Sequence, residues 1–229
     1  MLKRVINYVK WRLSLIARML DREGKKYHDE SVRFQQMMVA NNEQAFEIMY
    51  SDPHLLRHSL VDERLMFFHQ VAARVEKYFQ GAKDKAACLD VGCGTGHLLL
   101  ELRRSGFSGR LVGLDSALAA QGCVTGHGEG FEFYFGYLAN QKWEGVFDLV
   151  VCTEVLEHCE HPADIVVDMI KACKKGGLIV ITVPDGRKDT WDGHINFWSP
   201  ESFKIFIESF HKKAVFEYFE NTNFCAVFC

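Results

Sequence analysis

The chain has 229 residues, 48% of them hydrophobic and 25% charged, which is ample to bury one full core, and no apolar run reaches transmembrane length. Its net charge of −3 is unevenly spread: residues 1–26 hold eight Lys and Arg against Asp21 and Glu23, leaving an acidic remainder that makes a poor general nucleic-acid surface. Eight scattered cysteines form no CxxC pair and no zinc-finger spacing, so a disulfide framework is not expected and a reducing, cytoplasmic compartment fits best.

The basic N-terminal segment reads as a helix with Leu2, Val5, Ile6, Val9, Leu13, Ile16 and Leu20 along one stripe. Two placements are open to it: packing on the domain or on a second copy in a homodimer, or peripheral contact with an anionic membrane. Residues 27–50 and 60–80 have helical spacing and are separated by a break at Ser51-Asp52-Pro53. Met37, Met38, Phe46, Met49 and Tyr50 are either core packing or the wall of a substrate pocket. The organisation expected is a helical extension over 1–59 and a folded domain over 60–229.

The stretch from Ala86 to Leu100 organises the remainder. An apolar run, Cys88-Leu89-Asp90-Val91, breaks at Gly92, Gly94 and Gly96 and resumes at helical spacing from His97. This is a buried strand, a tight turn and a helix start, where bare backbone and unpaired N–H groups can face a nucleotide-like ligand. A dinucleotide fingerprint needs glycine at the position of His97, which disfavours a nicotinamide cofactor. The motif LDVGCGTG resembles the first motif of class I S-adenosylmethionine-dependent methyltransferases, and S-adenosyl-L-methionine is the cofactor that the resemblance implies.

Arg110 to Asp115 reads as a second strand ending in an acid about twenty residues past the glycines, a place from which a carboxylate can accept from both ribose hydroxyls. The other reading of Asp115 is a helix cap. Phe131 to Phe135 alternates as a third strand. In the family the following turn faces the adenine and usually carries an acid. Here Tyr137 takes that place, which leaves backbone groups near Tyr137 and Leu138, or stacking by an aromatic ring, as the expected contacts to the base.

Phe147 to Cys152 is a fourth, nearly all apolar strand running into Thr153-Glu154-Val155-Leu156-Glu157-His158. A helix from Pro162 to about Lys175, a stop at Gly176-Gly177 and a fifth strand from Leu178 to Val183 follow. A helix capped by Ser199 and two last strands, 214–219 and 224–229, joined through residues 220–223, complete the chain. The pattern predicts an α/β fold: a doubly wound, mostly parallel seven-stranded sheet with helices on both faces and an antiparallel C-terminal hairpin, Rossmann-like, with its ligand at the carboxyl ends of the strands.

The cofactor set implied by the resemblance is Asp90, Gly92, Cys93, Gly94, Gly96, Asp115, Ser116, Tyr137, Leu138 and Thr153. Glu154, Glu157, His158 and the distant His194 resemble the ExxEH…His pattern of ubiquinone-biosynthesis O-methyltransferases and of small-RNA 2′-O-methyltransferases. Carried over, these four are catalytic residues and ligands for Mg²⁺, Mn²⁺ or Zn²⁺. His158 is also open to reading as a metal-free general base or as a cap for the next helix. His161 and His97 read as structural. In the loop 185–198, Trp191 and Trp198 are either substrate-stacking rings or anchors.

The activity implied is O-methylation of a small hydroxylated acceptor such as a phenol, a quinone precursor, a sugar or another secondary metabolite. The alternatives are RNA 2′-O-methylation, which the acidic body disfavours, and a cofactor-binding subunit without catalysis.

Overall fold

The structure, a computed structural model, describes residues 43–229 apart from 54, 57–59 and 192. The basic N-terminal helix, its membrane or dimer contact, and Met37 and Met38 lie outside the described residues. Among the described residues no helix is long and apolar enough to cross a membrane.

The elements in order are α1 (Glu43–Ser51), α2 (Asp62–Tyr78), β1 (Cys88–Val91), α3 (His97–Arg104), β2 (Leu111–Asp115), α4 (Ala120–Thr125), β3 (Phe131–Phe135), β4 (Phe147–Thr153), α5 (Pro162–Ala172), β5 (Cys173–Pro184), α6 (Pro200–Glu208), β6 (Ala214–Phe219) and β7 (Thr222–Phe228). The sheet runs β3-β2-β1-β4-β5-β7-β6, with β1 to β5 parallel and β7 antiparallel to both neighbours. The expected seven-stranded, doubly wound sheet is therefore the one found. Strand order reverses between β1 and β4, which opens a crevice at their carboxyl ends.

Alternation along the strands divides the core into two layers. Cys88, Leu111, Leu149, Val151, Leu178 and Val180 pack with Phe67, Phe68, Val71 and Val75 of α2 and Leu98 and Leu102 of α3. Their neighbours Leu89, Val112, Val150, Cys152, Ile179 and Ile181 pack on the other face with Val166 and Met169 of α5 and Phe203 and Ile207 of α6. Covering on both faces explains why these strands read as unbroken apolar runs.

Two boundaries differ from the sequence reading. Helix α5 stops at Ala172 rather than near Lys175, because the Cys173 amide caps back onto Met169 and Cys173 already pairs with Phe147 in β5. Gly176, at φ +82°, lies inside β5 and does not stop a helix. The terminal hairpin turns through Glu220 and Asn221 alone, since Phe219 pairs directly with Thr222. Both turn residues are left-handed, with φ of +46° and +68°, as a two-residue turn matched to strand twist requires.

Candidate functional site

The glycine turn is shaped by what lies against it. Gly92 sits at φ +71°, and a Cβ there would come within 2.4 Å of Val155 Cγ2. Gly94, at φ +48°, would place a Cβ 2.6 Å from the Tyr50 hydroxyl. Gly96 is the left-handed N-cap of α3, and Cys93 packs under the turn against Gly113. The turn is held to β2 by the Gly92 amide on Leu114 O (2.8 Å) and the Gly94 amide on Asp115 Oδ2 (2.8 Å).

Asp115 also accepts from the Ala117 amide at 2.9 Å, a bond within its own turn; α4 starts only at Ala120 with Ala119 as its N-cap, so Asp115 does not cap a helix. Burial raises its pKa, against the pull of these amides. Asp90 is buried with Oδ1 unpartnered, and burial, then the nearby Asp115, pushes its carboxyl well up. Thr153 closes β4, Ser116 follows Asp115, Leu138 is buried and Tyr137 is exposed at the rim. All ten residues of the expected cofactor set lie in the carboxyl-terminal halves of β1, β2 and β4 or in the turns that follow β1 to β3.

Helix α1 closes over this turn. Glu47 accepts from the Ala119 amide at 3.0 Å, Tyr50 lies on Gly94, and Phe46 meets the His158 ring edge-on at 5.8 Å. Met49 packs with Leu55, Phe46, Tyr50 and Trp191, so the described part of this stripe is packed. Arg64 in the first turn of α2 was not a sequence candidate. Its charge opposes the rise in pKa of Asp90, Glu154 and Glu157, and its guanidinium lies 5.0 Å from the Phe67 and Phe68 rings. A cation in the first turn of a helix works against the helix dipole, and that was the available signal.

The ExxEH segment leaves β4 through a strained residue. Glu154 is left-handed (φ +54°), and its carboxylate accepts from the Thr182 hydroxyl at 2.9 Å. Leu156–His158 forms a single tight turn. It aims Glu157 inward, fully buried, with neither carboxylate oxygen partnered. Burial, then the neighbouring Glu154, pushes its pKa well above the carboxylate range. His158 is pulled down to about 4 by burial and by His194, so it is a neutral imidazole at physiological pH. The two imidazoles stand 4.5 Å apart between ring centroids at 76°.

One ligand atom from each of Glu157, His158 and His194 lies within 4.8 Å of the other two. Glu154 stands outside this group, committed to Thr182. The four-residue set drawn from the sequence is thus brought together as three residues plus a supporting carboxylate. Behind His194, Nδ1 is 2.5 Å from Asp189 Oδ2, a contact that the sequence reading missed although Asp189 precedes the histidine by only five residues.

The loop carrying Asp189 and His194 is pinned at both ends. Asp185 bridges Trp198, and the Gly186 amide donates to Trp198 O at 2.8 Å. Asn196 donates to Leu156 O and Cys159 O, while the Ile195 and Asn196 amides donate to Glu157 O. Trp198 is an anchor, packed on Phe206 at 5.2 Å, whereas Trp191 faces Met49 and Leu55 beside His194. His97 contacts the Thr95 hydroxyl and the rings of Phe68 and His127, and His161 is an exposed residue before α5.

A family model described as a methyltransferase domain matches residues 63–227. The ubiquinone biosynthesis O-methyltransferase of Rickettsia bellii is 23% identical over 164 residues, covering 67% of each chain. Its mitochondrial counterpart from Schizosaccharomyces pombe is 30% identical over 134 residues, 56% of this chain and 46% of that one. For that relative the chain spans under half the protein it matches. A solved DhpI–SAH complex superimposes with a TM-score of 0.63 at 16% identity, over 83% of this chain and 96% of that one. The crevice with its glycine turn and strand-end acid, and the domain match over most of the chain, place this protein among the class I S-adenosylmethionine-dependent methyltransferases.

Proposed function

We propose that the enzyme O-methylates a small acceptor bearing neighbouring hydroxyls, of the phenol, quinone-precursor or saccharide kind, with the help of a divalent cation. The observation that carries this reading is the group formed by Glu157, His158 and His194, on the same sheet edge as Asp115 and the glycine turn. The relatives named for ubiquinone biosynthesis support it at low identity.

The donor set suits a cation. A buried carboxylate with two unpartnered oxygens is costly unless a positive group faces it, and mixed carboxylate and imidazole donors accept Mg²⁺, Mn²⁺ or Zn²⁺. Glu157, His158 and His194 would hold it; when bound, it lowers the pKa of an acceptor hydroxyl. The chain does the rest by position. The glycine turn and Asp115 orient the adenosyl sulfonium donor, helix α1 covers it, and the loop 185–198 and Trp191 wall the acceptor side, so that donor and acceptor meet in line. His158 is uncharged at neutral pH, the state needed of an imidazole ligand or of a base.

The test is a labelled-donor screen of dihydroxyphenols, monohydroxyphenols, saccharides and RNA. Transfer to dihydroxy acceptors that falls on chelation and in Glu157→Gln and His194→Ala is the expected result. Rates unchanged in all three conditions remove the cation from the proposal, and transfer confined to RNA replaces the acceptor class.

A further inference from the structure

We propose that Asp189 is a positioning residue that fixes the tautomer of His194, so that Nε2 is presented unprotonated to the Glu157–His158 cluster. The inference rests on the functional reading above, in which His194 belongs to that cluster; with Nδ1 held by Asp189, Nε2 is the nitrogen left to serve it. The geometry is specific. Asp189 Oδ2 lies 2.5 Å from His194 Nδ1, while its other oxygen accepts the Trp191 amide at 3.0 Å. The pair is enclosed, with side-chain exposures of 6% for Asp189 and 12% for His194.

A carboxylate accepts only, so the nitrogen facing it carries the proton and the opposite nitrogen carries the lone pair. That is the state required of a metal ligand and equally of a proton acceptor. The second oxygen adds a separate constraint. By holding Trp191 N–H it fixes the residue whose carbonyl accepts the His194 amide at 3.2 Å. One side chain therefore fixes both where the ring stands and which of its nitrogens is free. Asp189 acts through His194 and is not itself placed among the reacting groups.

Asp189→Asn separates these duties. A carboxamide has a single acceptor oxygen. If that oxygen stays on Trp191 N–H, the NH₂ faces Nδ1, and Nδ1 must become the acceptor with the proton moved to Nε2. The turn survives and the tautomer is reversed.

The readout is ring-nitrogen NMR on ¹⁵N-histidine-labelled protein at pH 8, without cation, donor or acceptor, with the His194 signals identified by their loss in His194→Ala. Wild type is expected to show Nδ1–H and a free Nε2, and Asp189→Asn the reverse, with the thermal midpoint kept within a few degrees. Mn²⁺ dissociation and kcat should each worsen about 10- to 100-fold in Asp189→Asn, with KM for the methyl donor unchanged. An Nε2–H or doubly protonated ring in wild type, or the same tautomer in both proteins, overturns the inference. Full activity in His194→Ala overturns the role given to His194 in the functional reading and this inference with it. Full activity in Asp189→Asn beside an inactive His194→Ala overturns this inference alone.

Discussion

Asp115 holds the amide of Gly94 on one carboxylate oxygen and the amide of Ala117 on the other, at 2.8 and 2.9 Å, tying the glycine turn to the strand end it faces. The arrangement needs two acceptors on one side chain. Asp115→Asn supplies one, so an NH₂ must face an N–H, and the charge proposed to receive the hydroxyls of the methyl donor is lost. Calorimetric titration with S-adenosylhomocysteine is expected to show binding weakened about 10- to 100-fold, the scale of a hydrogen bond to a charged group. Unaltered affinity in a folded variant would remove Asp115 from the cofactor site.

Glu157 is where stability and function oppose one another. A carboxylate with no partner in the core destabilises the cation-free protein, and an amide of the same shape costs less to bury. In chelator-treated samples at pH 7.5, Glu157→Gln is expected to melt a few degrees above wild type. Adding Mn²⁺ or Mg²⁺ should then raise the wild-type midpoint by mass action and leave the variant unmoved. A wild-type midpoint indifferent to every divalent cation tested argues against the metal reading without any activity assay.

The sheet was legible because its information is local. Cys88–Val91, Phe147–Thr153 and the glycines between strand and helix each announce themselves within a few residues. Ser199 at a helix start was equally plain, and its hydroxyl does accept from the Ser202 amide. The site was legible only as a set of residue types. That Glu154 is committed to Thr182 on the neighbouring strand, that Arg64 and Tyr50 reach the crevice from helices before β1, and that Asp189 backs His194 are all products of tertiary contact. The hairpin was misjudged for another reason. Glu220-Asn221 lacks the Asn-Gly signature of a two-residue turn, so the sequence spread the turn over four residues.

That turn offers a direct test. Left-handed backbone costs a residue with a side chain about 1 kcal/mol, and Glu220 accepts this cost without a compensating short polar side chain. Replacing the pair by Asn-Gly should raise the midpoint by a few degrees and leave kinetic constants unchanged. A lower midpoint would mean that Asn221 matters more as the acceptor for Lys188, at 2.9 Å, than as a turn residue.

The base of the site loop predicts the acid limit of the fold. Asp185 is buried at the end of β5, where Arg187 wraps its carboxylate and the Tyr218 hydroxyl donates at 3.0 Å. The guanidinium first, aided by the Arg187 amide and Tyr218, holds the carboxyl down to about 2. A carboxylate whose pKa is depressed on folding adds stability that is complete above its ordinary range near 4 and is lost as pH falls toward 2. Asp185→Asn is therefore expected to lower the thermal midpoint at pH 7 by about 2–6 °C, through loss of hydrogen bonds to a charged group. The gap between variant and wild type should narrow steadily from pH 4 to pH 2, because the wild type alone has this charge to lose. Melting curves collected across that range decide the matter, and a gap independent of pH would show that Asp185 supports the loop by shape and not by its charge.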